Sequence, residues 1–125
     1  MDRRPRRRAR VAVRQGEIWH IDLNPSTGRE QQGKRYVLII SGDKFNRLTG
    51  MPIVCPITTV GNASRYRGFA VNLQGAGTGV TGVVQCEQPR AVDILKRGGK
   101  STGEKAPPDI MAEVLGITAA ISGIG

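Results

Sequence analysis

The stretch "GEIWHIDL" at residues 16–23 alternates in polarity. Ile18, His20 and Asp22 fall on one side of such a strand, and Glu17, Trp19, Ile21 and Leu23 on the other, with Trp19 expected in the core. Residues 24–34, "NPSTGREQQGK", are rich in turn formers and predict a long loop. "RYVLIIS" (35–41) is apolar from Tyr36 to Ile40 and predicts a central strand. "GDKFNRLTG" (42–50) allows one short helical turn before Gly50. "MPIVCPIT" (51–58) predicts a third strand, with its two prolines at the ends or at a bulge because proline cannot donate to a ladder.

After a polar loop at 59–68, "FAVNL" (69–73) predicts a strand and "QGAGTG" (74–79) a glycine-rich turn. Residues 80–95 read as one long bent strand or as two short ones broken near Pro89, and residues 96–106 as loop. The period then changes. In "PPDIMAEVLGITAAISGI" the residues Ile110, Met111, Val114, Leu115 and Ile121 form a helical stripe. Pro107 or Pro108 suits the first helical position, and Asp109 and Glu113 the positive N-terminal end. The expected class is mainly β, with short antiparallel strands followed by a C-terminal helix.

Charge divides the chain. Residues 1–14 hold seven Arg and one Asp, net +6, which leaves +3 of the total +9 for the remainder. We read residues 1–13 as a basic arm and residues 14–125 as one domain. The arm either favours a polyanion, nucleic acid ahead of membrane, or is an extension whose pull is unspecific. It has no apolar core of the kind a secretory signal carries, and no apolar run approaches the roughly 20 residues of a bilayer span. Cys55 and Cys86 each sit in an apolar stretch and are expected to be buried free thiols, which fits a reducing cytoplasm.

Much enzyme chemistry is excluded. One His and two separated Cys form no metal cluster, and no cofactor is expected. "GAGTG" lacks the Lys-Ser/Thr ending of a phosphate loop and does not open a helix. The lone His20 lies mid-strand, where a structural or surface role outweighs catalysis. What remains is Arg, carboxylate and hydroxyl in the polar loops and strand ends: Arg29, Glu30, Arg35, Thr58, Thr59, Arg65, Arg67, Gln85 and Glu87. An Arg fork binds phosphate and a carboxylate takes a proton. That set suits metal-free cleavage of RNA, which brings its own 2′-OH nucleophile. From composition alone the same residues read first as ordinary solvated loop charges.

"RQGEIWHIDLNPSTGREQQGKRYVLIIS", "FNRLTGMPIVCPIT", "GFAVNLQGAGTGVTGVV" and "CEQPRAVDILKRGGK", in this order, resemble the MazF/PemK-like (Kid-like) toxins of bacterial toxin–antitoxin systems. The resemblance runs from about Arg14 to the end of the C-terminal helix. It implies a compact SH3-like antiparallel β-barrel with a C-terminal helix, forming a homodimer. It implies a metal-independent endoribonuclease that cuts single-stranded RNA, usually mRNA, leaving a 2′,3′-cyclic phosphate and a 5′-OH. It implies a cognate antitoxin whose extended acidic tail blocks the RNA groove, with operator DNA bound only through that antitoxin.

Carried over by motif, Glu30, Arg35 and Thr58 match the family's functional Glu, Arg and Thr, with Glu87 as a further carboxylate. Arg29, Gln85, Thr59, Arg65 and Arg67 are the candidate RNA contacts. Four positions depart from the Kid-like pattern. Arg29 stands where His is frequent, Gln85 where Arg is usual, Glu87 where Asp is usual, and Tyr36 where Pro is common. Two other functions remain in view. One is an RNA-binding module of this fold with weakened catalysis. The other is a CcdB-like gyrase poison, against which this chain ends Ile-Ser-Gly-Ile-Gly without the Trp-Gly-Ile ending of that group.

Overall fold

The computed structural model describes residues 12–23, 34–58 and 69–123. Its elements are β1 (Glu17–Asp22), β2 (Lys34–Ile39), α1 (Asp43–Thr49), β3 (Ile53–Thr58), β4 (Ala70–Asn72), β5 (Val83–Gln85), β6 (Arg90–Ala91), β7 (Lys100–Lys105) and α2 (Pro108–Ile121). The strands form one antiparallel sheet in the order β4-β5-β3-β2-β1-β7, and β6 also pairs with β3.

The three central strands are buried on both faces. On the inner face Ile18, Leu38, Cys55 and Ile57 join Val71, Val84 and Val114 in one apolar cluster. On the outer face Trp19, Ile21, Val37, Ile39 and Val54 pack against Val92 and Ile94. The register enforces this split. Ile18 stands opposite Leu38 and Leu38 opposite Cys55, while Trp19 stands opposite Val37. A slip of one residue would exchange the two clusters, so the pairing is strongly specified.

Helix α2 covers the inner cluster. Pro108 opens it and Asp109 lies in its first turn. Val114 is fully buried, and Ile110, Met111, Leu115 and Ile117 pack beside it. Ile121, expected in this stripe, is 39% exposed, and Ile117 takes the inward place. The helix leaves the core before its last turn. Cys55 and Cys86 are both free and fully buried, as expected. Burial, then the neighbouring thiol and the Glu87 carboxylate, push Cys55 up from 9.0 to about 12. Burial, then Glu87 and Glu113, push Cys86 up to about 11. Both thiols are therefore protonated and unreactive at neutral pH.

Two expectations need correction. Residues 96–106, read as loop, contain β7. "KSTGEK" has no apolar residue and shows no hydrophobic period. It is a strand because β1 offers a free edge: Lys105 pairs with Glu17 and Lys100 with His20. The Thr102 hydroxyl donates to the Ile18 carbonyl at 2.7 Å, where the register shifts between Ile18 and Trp19. Lysines at both ends suit an edge strand that must not recruit another.

The second correction is Pro56, which lies inside β3 opposite Val37 and at neither an end nor a bulge. Ile53 presents its carbonyl to Ile40 of the β2 side, so Val54, Pro56 and Thr58 present theirs to the other side. That side is shared. β5 pairs only with Ile57 and Thr58, and β6 only with Ile53 and Val54. The missing N–H of Pro56 thus faces the gap between two short strands. Residues 80–95 are accordingly two short strands, the second of the alternatives above, and the chain turns away from β3 between them.

The strand path is consistent with the expected barrel architecture but, among the described residues, does not close by backbone pairing, and β4 and β7 are its edges. A side chain spans the opening. Glu104 of β7 accepts backbone N–H bonds from Gly79 at 2.8 and 2.9 Å and from Val80 at 3.3 Å, in the loop that leaves β4. A Cβ at Gly79 would stand 2.8 Å from the Glu104 Oε2, so a side chain there would oblige the carboxylate to shift. Glu104→Ala is expected to lower unfolding stability by about 1–3 kcal/mol, the range for losing charge-assisted bonds to backbone donors. Urea unfolding checks this, and an unchanged midpoint would show that the loop is held by packing alone.

Candidate active site

The alternation that builds the two clusters continues to the strand ends. Arg35 stands opposite Ile21 on the outer face. Thr58 stands opposite Val83, and Gln85 opposite Ala70, both again on the outer face. One step beyond the Tyr36 and Ile57 pair, Arg35 and Thr58 become cross-strand neighbours. Directly opposed Cβ atoms lie about 4.5–5.5 Å apart. Arg35, Thr58 and Gln85 therefore converge from β2, β3 and β5 on one end of one face, and all three are half-buried. Arg35 has its backbone fixed by the ladder and its stem beside buried Ile21, so only the guanidinium remains to be placed.

Leu23, Lys34, Thr58 and Phe69 flank the two connections expected to carry the remaining residues. Arg29, Glu30, Thr59, Arg65 and Arg67 lie outside the described residues. So does most of the basic arm. Its last two positions are described. Val13 packs on the outer cluster, and its carbonyl accepts the Asn46 amide at 3.1 Å.

Glu87 belongs to different surroundings. After Gln85 the chain turns, with the Gln88 N–H donating to the Gln85 carbonyl at 3.2 Å, and rejoins β3 at Arg90. The turn occupies the gap that Pro56 faces. The Glu87 Oε2 accepts from the Gln88 side-chain amide at 3.1 Å. Its Oε1 is buried and has no hydrogen-bond partner among the described residues. The carboxylate is close enough to Cys55 and Cys86 to raise both thiols, and these are inner-face side chains. No hydrogen bond or ion pair among the described residues joins Glu87 to Arg35, Thr58 or Gln85. The structure thus brings Arg35, Thr58 and Gln85 to one face and carries Glu87 in the turn that follows Gln85, with one carboxylate oxygen unpartnered among the described residues.

A feature missed in the sequence lies beside this end of the sheet. A cavity of about 900 Å³ is lined by His20, Asp22, Lys34, Asp93, Lys96 and Lys100, among others. The Arg97 guanidinium, also in its wall, donates to the Asp22 carbonyl at 3.0 Å. The cavity was hidden because part of its wall belongs to β7 and to the turn before it, both read as featureless loop. A strand reading of residues 100–105 would have set Lys100 beside His20. Among the described residues no group of three or more His, Cys, Asp or Glu is placed to hold a metal ion. No described helix is long and apolar enough to cross a membrane.

Comparison with known proteins accords with this geometry. A family model described as PemK-like, MazF-like toxin of type II toxin–antitoxin system matches residues 14–121. Endoribonuclease PemK of Escherichia coli is 50% identical over 109 residues, covering 87% of this chain and 81% of that protein. Endoribonuclease toxin ChpB of Escherichia coli (strain K12) is 41% identical over 101 residues, covering 80% of this chain and 85% of that protein. Among solved structures, MazF from Deinococcus radiodurans superposes with a TM-score of 0.77 at 30% identity, covering 92% of this chain and 100% of that one. A MazE–MazF structure from the same organism gives 0.78 at 31% identity, covering 93% and 100%. The chain belongs to the PemK-like, MazF-like family of toxins of type II toxin–antitoxin systems.

Proposed function

We propose that this toxin is an endoribonuclease that cleaves single-stranded RNA, mRNA in the cell, without a metal ion. The observation that carries the proposal is the convergence of Arg35, Thr58 and Gln85 on one end of the outer face. The names of its relatives PemK and ChpB support the same activity. In the proposed reaction the 2′-oxygen attacks the adjacent phosphorus and its proton passes to a carboxylate. The bond from phosphorus to the 5′-oxygen breaks, and that oxygen takes up a proton as it leaves. The products are a 2′,3′-cyclic phosphate and a 5′-OH.

Arg35 is assigned to the negative charge that develops on the phosphate oxygens, the role in which a preorganised cation matters most. Thr58 orients the phosphate through its hydroxyl. Glu30 is the proposed base. Glu87 is the alternative, supported by a buried oxygen without a hydrogen-bond partner among the described residues. Arg29, Gln85, Thr59, Arg65 and Arg67 are proposed to contact the RNA. Gln85 is uncharged, which favours as second reading a weakened enzyme that binds RNA and cuts it slowly.

The proposal extends to partners. The toxin acts in the cytoplasm, where thiols such as Cys55 and Cys86 stay reduced. It is neutralised by an antitoxin whose extended acidic tail covers the cationic face, and it reaches operator DNA only through that antitoxin. It works as a homodimer. Phe45, Leu48 and Met51, on and just after α1, are exposed apolar side chains that favour a covering surface. Sedimentation at micromolar concentration distinguishes one copy of 13.5 kDa from two.

Single-turnover cleavage of a mixed-sequence RNA in EDTA tests the activity and the assignment together. The parent is expected to cut. Arg35→Ala should cut at least about a hundredfold more slowly, the range for losing one preorganised stabilising group. Gln85→Arg should raise the rate if the Gln85 position is part of the working site. A folded Arg35→Ala that cuts at the parental rate would remove Arg35 from the chemistry, and binding without any cleavage would favour the second reading.

The basic arm is assigned to unspecific attraction, because phosphate contacts position a nucleic acid without reading its bases. Removing residues 1–11, which spares the contacts of Val13, should flatten the dependence of RNA binding on salt. The cleavage sites should stay where they are. An unchanged salt slope, or moved sites, would contradict this role.

A further inference from the structure

The chemistry proposed above uses the outer face and leaves the inner face of the same strand end without a task. Pairing sets Lys100 of β7, His20 of β1, Tyr36 of β2 and Ile57 of β3 in one row across the inner face. The row deeper in the sheet holds Ile18, Leu38 and Cys55 of the core. In the row nearer the strand ends, Lys34 stands opposite Asp22. So the inner face changes over one residue from sealed core to an aromatic and cationic rim.

Tyr36 is 41% exposed, although the next three residues of its strand are fully buried. An aromatic ring left open on a core strand is a feature to explain. The ring does not hang free. That of His20 lies against it, with centroids 4.8 Å apart and planes tilted by 55°. His20, Lys34 and Lys100 also line the cavity of about 900 Å³. Among the described residues neither Lys34 nor Lys100 forms an ion pair. Arg97 is already engaged by the Asp22 carbonyl. A flat, braced, partly exposed ring beside two ammonium groups that have no ion-pair partner among the described residues is what a nucleotide needs: a π-face for its base and charge for its phosphates. The neighbouring residue, Arg35, points to the opposite face, and consecutive Cα atoms are only about 3.8 Å apart. One strand of RNA passing over this rim can touch both.

We infer that Tyr36, braced by His20, is a stacking platform for a base of the RNA next to the phosphate held at Arg35, with Lys34 and Lys100 meeting the adjoining backbone phosphates. The inference rests on the ribonuclease reading above and adds to it a positioning subsite on the second face of the sheet. It also gives the Tyr at position 36 a use. A ring there can hold a base that an aliphatic residue cannot. Stacking is tolerant of base identity, so the platform sets where the strand lies more than which base is read.

The test uses the whole chain and a mixed-sequence RNA whose riboses are 2′-O-methylated, which can bind but has no free 2′-OH to attack. Tyr36→Leu keeps an apolar strand residue without a ring, and Tyr36→Phe keeps the ring. Tyr36→Leu is expected to bind about tenfold more weakly, the loss of one stacked base, and Tyr36→Phe within about twofold of the parent. On cleavable RNA, Tyr36→Leu should raise KM with kcat within about threefold. Lys34→Gln with Lys100→Gln should lower the salt slope of binding by about two. Folding is checked by circular dichroism and a thermal melt. A folded Tyr36→Leu that binds like the parent overturns the inference, and so does a Tyr36→Phe that loses as much as Tyr36→Leu. In either case a parent that still cleaves leaves the ribonuclease reading standing. A parent that neither binds nor cleaves RNA would overturn both.

Discussion

Everything in this molecule depends on three adjacent strands that are buried on both faces. β1, β2 and β3 each send alternate side chains into two separate apolar clusters, and a sheet so enclosed has one allowed register. The inner cluster is covered by α2. The outer one is covered by Val92 and Ile94 and by Val13 and Leu23 at its margins. That outer cover does not extend over Arg35, Thr58 and Gln85, which remain half-buried at one end of the same face. Among the described residues the candidate site is thus the uncovered end of a core surface. Its residues inherit fixed backbones from the strands that carry them, and little ordering remains for a substrate to impose.

The same constraint explains how the chain leaves the sheet. β3 has a full partner on one side and two fragments, β5 and β6, on the other. The gap between the fragments accommodates Pro56, which has no N–H to offer there, and it lets residues 86–89 turn out of the ladder. That turn carries Glu87, whose carboxylate raises two buried thiols and has one oxygen without a donor among the described residues. A buried acceptor without a donor is uncommon in folded proteins and is where a ligand proton can be received. The departure from β3 and the placement of the second candidate carboxylate are consequences of one break in pairing.

What could be read from the sequence follows from where the hydrophobic signal lies. β1, β2 and β3 were legible because their alternation or apolar runs are strong. α2 was legible because its apolar residues recur at helical spacing behind Pro108. β7 was not, since "KSTGEK" is held by backbone pairing and by the Thr102 hydroxyl, neither of which leaves an apolar pattern. With β7 unseen, the pairing of Lys100 with His20 was unseen, and so was the cavity they help line. Arg35, Thr58 and Gln85 could be named from residue chemistry and family motif. Their sharing of a face needed the register, because parity across strands cannot be counted until the pairing partners are known. The turn that carries Glu87 after Gln85 leaves no period in the sequence, and only the structure gives it.

The central claim is that Arg35 and Thr58, neighbours across the β2 and β3 ladder, act on one phosphate. A double-mutant cycle on single-turnover cleavage tests it most directly, with Arg35→Ala, Thr58→Val and the pair compared under the same conditions. The account requires strong coupling. Once Arg35 is gone, removing the Thr58 hydroxyl should cost far less than it costs in the parent. Rate losses that simply multiply in the double variant would show that the two residues act independently, and the shared site described above would be wrong.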